Sequence, residues 1–225
     1  MISFQGGHIM HNISIREPGS AITHFIAMIL AMGSAIPLLI KAAEFGTLFV
    51  IAMFVFIGSM VLLYGASATY HSINVAPNII KIFRKIDHMM IFIMIAGSYT
   101  PVCLLVLDKY TGSRMLAAVW GVALLGILIK ALWITCPKWF SSILYIGMGW
   151  ICISAIKPII HTLSLSAFMW LLAGGLLYTV GGVIYALKLK VFNEKHAGFG
   201  SHEIFHLFIM AGSFCHFIFM YQYVI

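Results

Sequence analysis

The feature that most constrains this chain is a set of seven apolar runs, at about 20–40, 47–70, 87–107, 115–135, 141–161, 166–188 and 203–224. Each is long enough to cross about 30 Å of hydrocarbon as a helix. In lipid, every backbone polar group must be satisfied by the chain itself, so only helices and closed barrels can span. Runs this long and continuous are too long for barrel strands. Composition points the same way. Hydrophobic residues make up 62% of the 225 positions and charged residues 8%, where soluble domains carry about a quarter charged. The mean hydropathy is +1.06. A soluble globule, a disordered chain and a disulfide scaffold are excluded. The expected fold is all-α: an integral membrane bundle of seven transmembrane helices. It forms one domain over residues 1–225, with a short polar N-terminal segment at 1–19. The first run is too long for a signal peptide and has no small-residue cleavage site after it, so it is expected to remain as the first span.

The net charge of +7 is read as topology rather than as a nucleic-acid footprint, because lysines and arginines flank the spans. One side of the membrane receives Arg16, Lys81, Arg84, Lys85, Lys130, Lys138, Lys188, Lys190 and Lys195, with Lys130 at the edge of the fourth span. The other side receives Lys41, Lys109, Arg114 and Lys157. Nine against four places the N-terminus in the cytoplasm and the C-terminus outside. The cysteines, Cys103, Cys136, Cys152 and Cys215, lie in or beside apolar runs without CxxC spacing, and read as free buried thiols. In the sixth run Gly174, Gly175, Gly181 and Gly182 recur seven apart, a stripe suited to close helix packing.

Ionisable groups inside spans are expensive and commonly functional. Three stretches stand out. The second run ends in Ser67-Ala-Thr-Tyr-His71, the third opens with Asp87-His88, and the seventh opens with Ser201-His202-Glu203-Ile-Phe-His206. In the orientation above, all three lie at the cytoplasmic end. His202 and His206 are four apart, so they share a helix face. With His71 from another helix they make a three-histidine set with an open fourth position, the ligand pattern of catalytic zinc. Asp87 then has two readings: a water ligand or general base at that ion, or an interfacial partner of Arg84 or Lys85. Ser67, one turn deeper than His71, either binds the same water or bonds back to its own helix.

The remaining polar residues are alternatives to weigh. His202-Glu203-Ile-Phe-His206 also matches HExxH, in which the glutamate is a base. Glu203 equally suits an exposed first-turn residue favoured by the helix dipole. His24 is the best spare ligand. His88 is expected to cap the helix or face headgroups, and His161 to lie near the outer surface. His216 is about 15 Å further along its helix than His206 and cannot share its metal. His8, His11 and His196 belong to exposed segments.

Those three stretches, with Ile95-Ala-Gly-Ser-Tyr-Thr-Pro101 following Asp87 and Ser20-Ala-Ile-Thr23-His24 opening the first span, resemble the hemolysin III family over essentially the whole chain. This is the bacterial branch of the progestin and adiponectin receptor family. The resemblance implies a seven-helix bundle with an inside N-terminus and a zinc ion held by His71, His202 and His206, with Asp87 and Ser67 beside it. It also implies kinship with alkaline ceramidases, which share this set. The function expected is zinc-dependent hydrolysis of a lipid amide or ester in the cell membrane, the bilayer and its lipid being the partners and nucleic acid not. Two other classes are a pore-forming cytolysin, which needs a polar stripe reaching both faces, and a receptor-like regulator of membrane homeostasis with structural zinc.

Overall fold

The computed structural model describes residues 15–133, 135–187 and 200–225. Among these there is no strand, and seven helical segments are long and apolar enough to span a bilayer. Helices α1 (Pro18–Phe45) and α2 (Thr47–Ser72) form the first two spans. Helix α3 (Pro77–Pro101) continues through a π-helical turn, Val102–Val106, as the third, and α4 (Lys109–Leu132) is the fourth. The fifth is interrupted: α5 (Lys138–Gly149), a 3-10 turn at Ile151–Ala155, then α6 (Ile156–Thr162). Helices α7 (Leu165–Leu187) and α8 (Ser201–Phe219), with the π turn Met220–Val224, complete the bundle.

Two boundaries differ from the sequence reading. The third span begins at Pro77, so Asp87 lies ten residues inside α3 rather than at its start. Lys81, Arg84 and Lys85 end an apolar run but not a helix, since a helix can protrude from the hydrocarbon with its backbone bonds intact. Lys130 lies inside α4, 1% exposed, where its Nζ donates to Ser141 Oγ at 2.5 Å and to Cys136 Sγ at 3.0 Å. It therefore leaves the loop charge count. Lys188, Lys190 and Lys195 lie outside the described residues, as do His8, His11 and His196.

The break in the fifth span frees backbone groups that lipid cannot satisfy. Tyr99 of α3 supplies the partner: its hydroxyl donates to Gly149 O at 2.5 Å and accepts from the Cys152 N–H at 3.0 Å. One residue, Gly46, joins α1 to α2, with φ at 115°. That conformation is essentially confined to glycine, and it turns the chain back so that α1 and α2 pack along their length. Small residues Ala27, Ala31 and Ala42 are buried on α1, and on α2 a Cβ at Gly65 would meet Met28 Sδ of α1 at 3.2 Å. In lipid, such close backbone approach replaces the hydrophobic effect as the packing force.

The glycine stripe of the sixth span divides. A Cβ at Gly174 would collide with the His216 ring of α8, and one at Gly181 would meet Phe208 Cβ at 2.9 Å. Gly182 faces Ile146 of α5 instead, and Gly175 has open space around it. Gly175 lines a cavity rather than an interface.

A candidate metal centre at one end of the bundle

Helix α2 ends where α3 and α8 begin, so His71, in the last turn of α2, meets His202 and His206 in the first turns of α8. One ring nitrogen from each lies within 4.8 Å of the others. His71 and His206 are each 1% exposed.

Hydrogen bonds fix two of the three tautomers. His71 Nδ1 donates to the Glu17 carboxylate, which leaves Nε2 with a free lone pair. Thr23 Oγ1 donates within its own helix, to Gly19 O at 2.9 Å or Ser20 O at 3.0 Å. It therefore accepts from His206 Nδ1 at 3.2 Å, and His206 Nε2 also keeps its lone pair. His202 Nε2 stands 3.2 Å from His71 Nε2. Two nitrogens each roughly 2.0–2.1 Å from one tetrahedral ion would lie about 3.3 Å apart. A carboxylate or hydroxyl behind a ligating imidazole is the usual outer support of a metal-binding histidine. The donor set, the His71–His202 spacing and the outer partners fit a zinc ion.

Sequence reasoning missed both supports. Glu17 sits just before Pro18, inside the segment read as polar lead-in. Its backbone N–H also donates to His71 O at 3.0 Å, so it grips the histidine twice. Arg16 backs it at 3.4 Å while lying over the Tyr70 ring at 4.2 Å. The hydrogen bond from His71, with the charge of Arg16 beside it, overcomes burial and holds the Glu17 carboxyl down at about 2. The available signal was its position: an acid one residue before α1 starts, at the level where α2 ends.

The other sequence candidates fall as follows. Ser67 and Asp87 line the cavity that His202 and His206 also line. Among the described residues neither hydrogen-bonds directly to the trio, and Asp87 has His88 Nδ1 at 3.4 Å. His24 stacks face-on against His206, ring centroids 3.6 Å apart and 7° from parallel, with both its ring nitrogens unpartnered. It buttresses the trio from α1. His88 does not face headgroups: it is 8% exposed, bonds to Arg84 O through Nδ1 at 2.8 Å, and reaches Tyr185 OH at 3.5 Å. Glu203 is not free to act as a base. One oxygen accepts from Ser20 Oγ at 2.5 Å and the other from the Gly200 N–H at 2.7 Å, which caps α8. His216 is buried far from the trio, with Nε2 bonded to Leu171 O at 3.2 Å. His161 is exposed.

The cavity, open at its mouth, runs from the histidines past Tyr145, Trp150 and Ile159 towards the other end of the bundle. Its walls are overwhelmingly apolar. Behind its wall, Tyr178 OH and Tyr64 OH meet at Ser213 Oγ.

A helical bundle with seven spans and a histidine cluster buried at one end defines a multi-pass membrane protein, and comparison with known proteins narrows the class. The profile of the haemolysin-III-related family matches residues 13–217. The chain is 39% identical over 210 residues to Hemolysin-3 of Bacillus cereus, covering 93% of this chain and 92% of that protein. It is 37% identical over 198 residues to the Hemolysin-3 homolog of Bacillus subtilis (strain 168), covering 88% and 89%. It is 27% identical over 230 residues to the adiponectin receptor protein of Drosophila melanogaster, covering 89% of this chain and 49% of that one. The chain belongs to the haemolysin-III-related family and is related through it to the adiponectin receptors.

Proposed function

We propose that this protein is a zinc-dependent hydrolase of a membrane lipid amide or ester. The observation that carries the reading is the convergence of His71, His202 and His206, backed by Glu17 and Thr23, at the head of an apolar cavity that Asp87 and Ser67 also line. His71, His202 and His206 would hold the ion, which supplies when bound a water of pKa about 7 and a Lewis acid for the substrate carbonyl. Asp87 orients the attacking water and accepts its proton. Ser67 donates to the oxygen that gains charge as the carbonyl becomes tetrahedral. The acyl chain enters sideways from the bilayer and fills the cavity, which keeps bulk water from the reacting carbon. The bias of lysines and arginines towards this end supports a cytoplasmic position for it.

Elemental analysis of the detergent-purified chain tests the reading. About one zinc per chain is expected, lost in His71→Ala, His202→Ala and His206→Ala and kept in His216→Ala. A screen of lipid amides and esters follows, with Asp87→Ala losing turnover while retaining metal. Full zinc in all four histidine variants, or no transition metal in the freshly purified wild type, sinks the assignment.

A structural zinc is the second reading. What favours it is that the trio ties the second span to the seventh. In that case metal removal lowers the melting temperature and no lipid is turned over.

A further inference from the structure

The histidine trio is not the only place where ionisable side chains meet inside the protein. Lys130, Cys136 and Ser141 form a second buried cluster where the fourth span turns into the fifth. Lys130 lies near the end of α4 and is 1% exposed, and Ser141 lies in the first turn of α5 and is 2% exposed. The connection between them brings Cys136, 6% exposed, back over the lysine. The polar atoms close a triangle. Lys130 Nζ stands 2.5 Å from Ser141 Oγ and 3.0 Å from Cys136 Sγ, and Sγ stands 3.3 Å from Oγ.

A lysine taken out of water is stabilised by an opposite charge. Among the described residues no carboxylate lies within ion-pair reach of Nζ, so the thiol takes that place. Amine with thiol and ammonium with thiolate differ only in where one proton sits. The pair carries no net charge in either form, which is what allows it to be buried. The centroid of the Tyr145 ring lies 5.9 Å from Nζ, and Tyr145 lines the apolar cavity, so the cluster sits behind the cavity wall. Cys103, Cys152 and Cys215 lie within the spans, away from this turn. Reacting atoms held about 3–3.5 Å apart are already at approach distance. The nitrogen and sulfur here lack only a leaving group on sulfur, and a peroxide supplies one.

We propose that Cys136 and Lys130 form a peroxide-responsive covalent lock, in which oxidation of the sulfur is followed by attack of the lysine amine, joining Nζ to Sγ as a sulfenamide. In the first step the thiolate attacks one oxygen of hydrogen peroxide. The S–O bond forms, the O–O bond breaks, and the departing hydroxide takes a proton from the Lys130 ammonium and leaves as water. Sulfur is oxidised by two electrons and the peroxide is reduced by two. A sulfenic acid is left beside a neutral amine. In the second step the amine nitrogen attacks sulfur, the S–O bond breaks, and hydroxide leaves with one amine proton as water. Condensation of a sulfenic acid with nitrogen is established chemistry. A dithiol reductant reverses the link, restoring thiol and amine and closing to its own disulfide. The link fastens the end of α4 to the connection that leads into α5.

The test treats the full-length protein in detergent with hydrogen peroxide, removes the excess with catalase, denatures it in iodoacetamide and maps it with trypsin. In the reduced protein trypsin cuts after Lys130, and Cys136 is alkylated. Peroxide should abolish both and yield one uncut peptide from Met115 to Lys138, lighter than its unmodified sequence by two hydrogens. Dithiothreitol before alkylation should restore the cut. Dimedone, which traps sulfenic acid, should label Cys136 weakly in wild type and strongly in Lys130→Met, where no amine intercepts the intermediate. Cys136→Ser should keep the cut after Lys130 under peroxide. If Lys130→Met does not fold, the wild-type and Cys136→Ser maps decide. A wild-type cut that persists after peroxide overturns the proposal, whether Cys136 is then oxidised or still alkylated. So does a link that blocks the cut after Lys138 instead, a disulfide from Cys136 to another cysteine, or a linked peptide that retains the peroxide oxygen.

Discussion

Glu17 holds His71 at two points, taking the Nδ1 proton on its carboxylate and donating its own N–H to the histidine carbonyl at 3.0 Å. The side-chain bond leaves only Nε2 to face the trio. Glu17→Gln keeps the backbone bond but removes the charge that orients and enriches the imidazole. Metal affinity, measured by competition with a chromophoric chelator, is expected to fall about 10- to 100-fold. Occupancy in excess zinc should be preserved. An unchanged affinity would show that the carboxylate does not tune the centre.

Gly174 and Gly175 are neighbours with opposite surroundings, which makes a paired prediction. An alanine methyl at Gly174 meets the His216 ring, and the Gly212 carbonyl at 3.1 Å. Overpacking of this kind costs about 1–3 kcal/mol. Gly175→Ala adds its methyl to open space and should leave the melting temperature of the purified protein nearly unchanged. Equal effects of the two would remove the α7–α8 contact as the cause.

At Gly46 the restriction is conformational rather than steric. A methyl group there would meet no atom within 4 Å, yet φ is 115°. Gly46→Ala should therefore destabilise the α1–α2 hairpin by about 1–3 kcal/mol, read as a lower thermal midpoint. An alanine variant as stable as wild type would mean the hairpin can turn without this backbone state.

The Cys136 thiol lies in the short connection between the fourth and fifth spans. Burial pushes it up, but hydrogen bonds from Ser141 and Lys130 and the lysine charge more than offset this, so it ends below the usual thiol range. The thiolate is thus favoured in the folded protein, and reaction with a small methanethiosulfonate should set in at lower pH than for a free cysteine. Lys130→Met removes the charge and should move that onset upward. A profile indifferent to the lysine would show that its contact with the thiol carries no electrostatic weight.

The trio was legible because helical spacing alone aligns His202 with His206, and because charge topology brings His71 to their level. The number of spans was legible for a similar reason: lipid leaves the backbone one solution. What stayed hidden depends on contacts between distant segments. Nothing local marks Glu17 as a partner of His71 or Thr23 as one of His206. The inward turn of His88 follows from the earlier start of α3, which the lysines and arginine of its first turns concealed. The break after Gly149 is tolerated because Tyr99, 50 residues away, satisfies the freed carbonyl. No periodicity within the fifth run encodes that.

The distances along the chain within the cluster also set an order of assembly. His71 and His202 are 131 residues apart, and Thr23 and His206 are 183. Spans enter the membrane one after another as the chain is synthesised. During most of that time His71 and its glutamate wait at the end of a helical hairpin, facing a gap that no earlier span closes. Only the last helix brings the other two imidazoles. The cluster thus doubles as a completion signal: a chain that stops short of its seventh span has half a clasp and nothing for it to fasten.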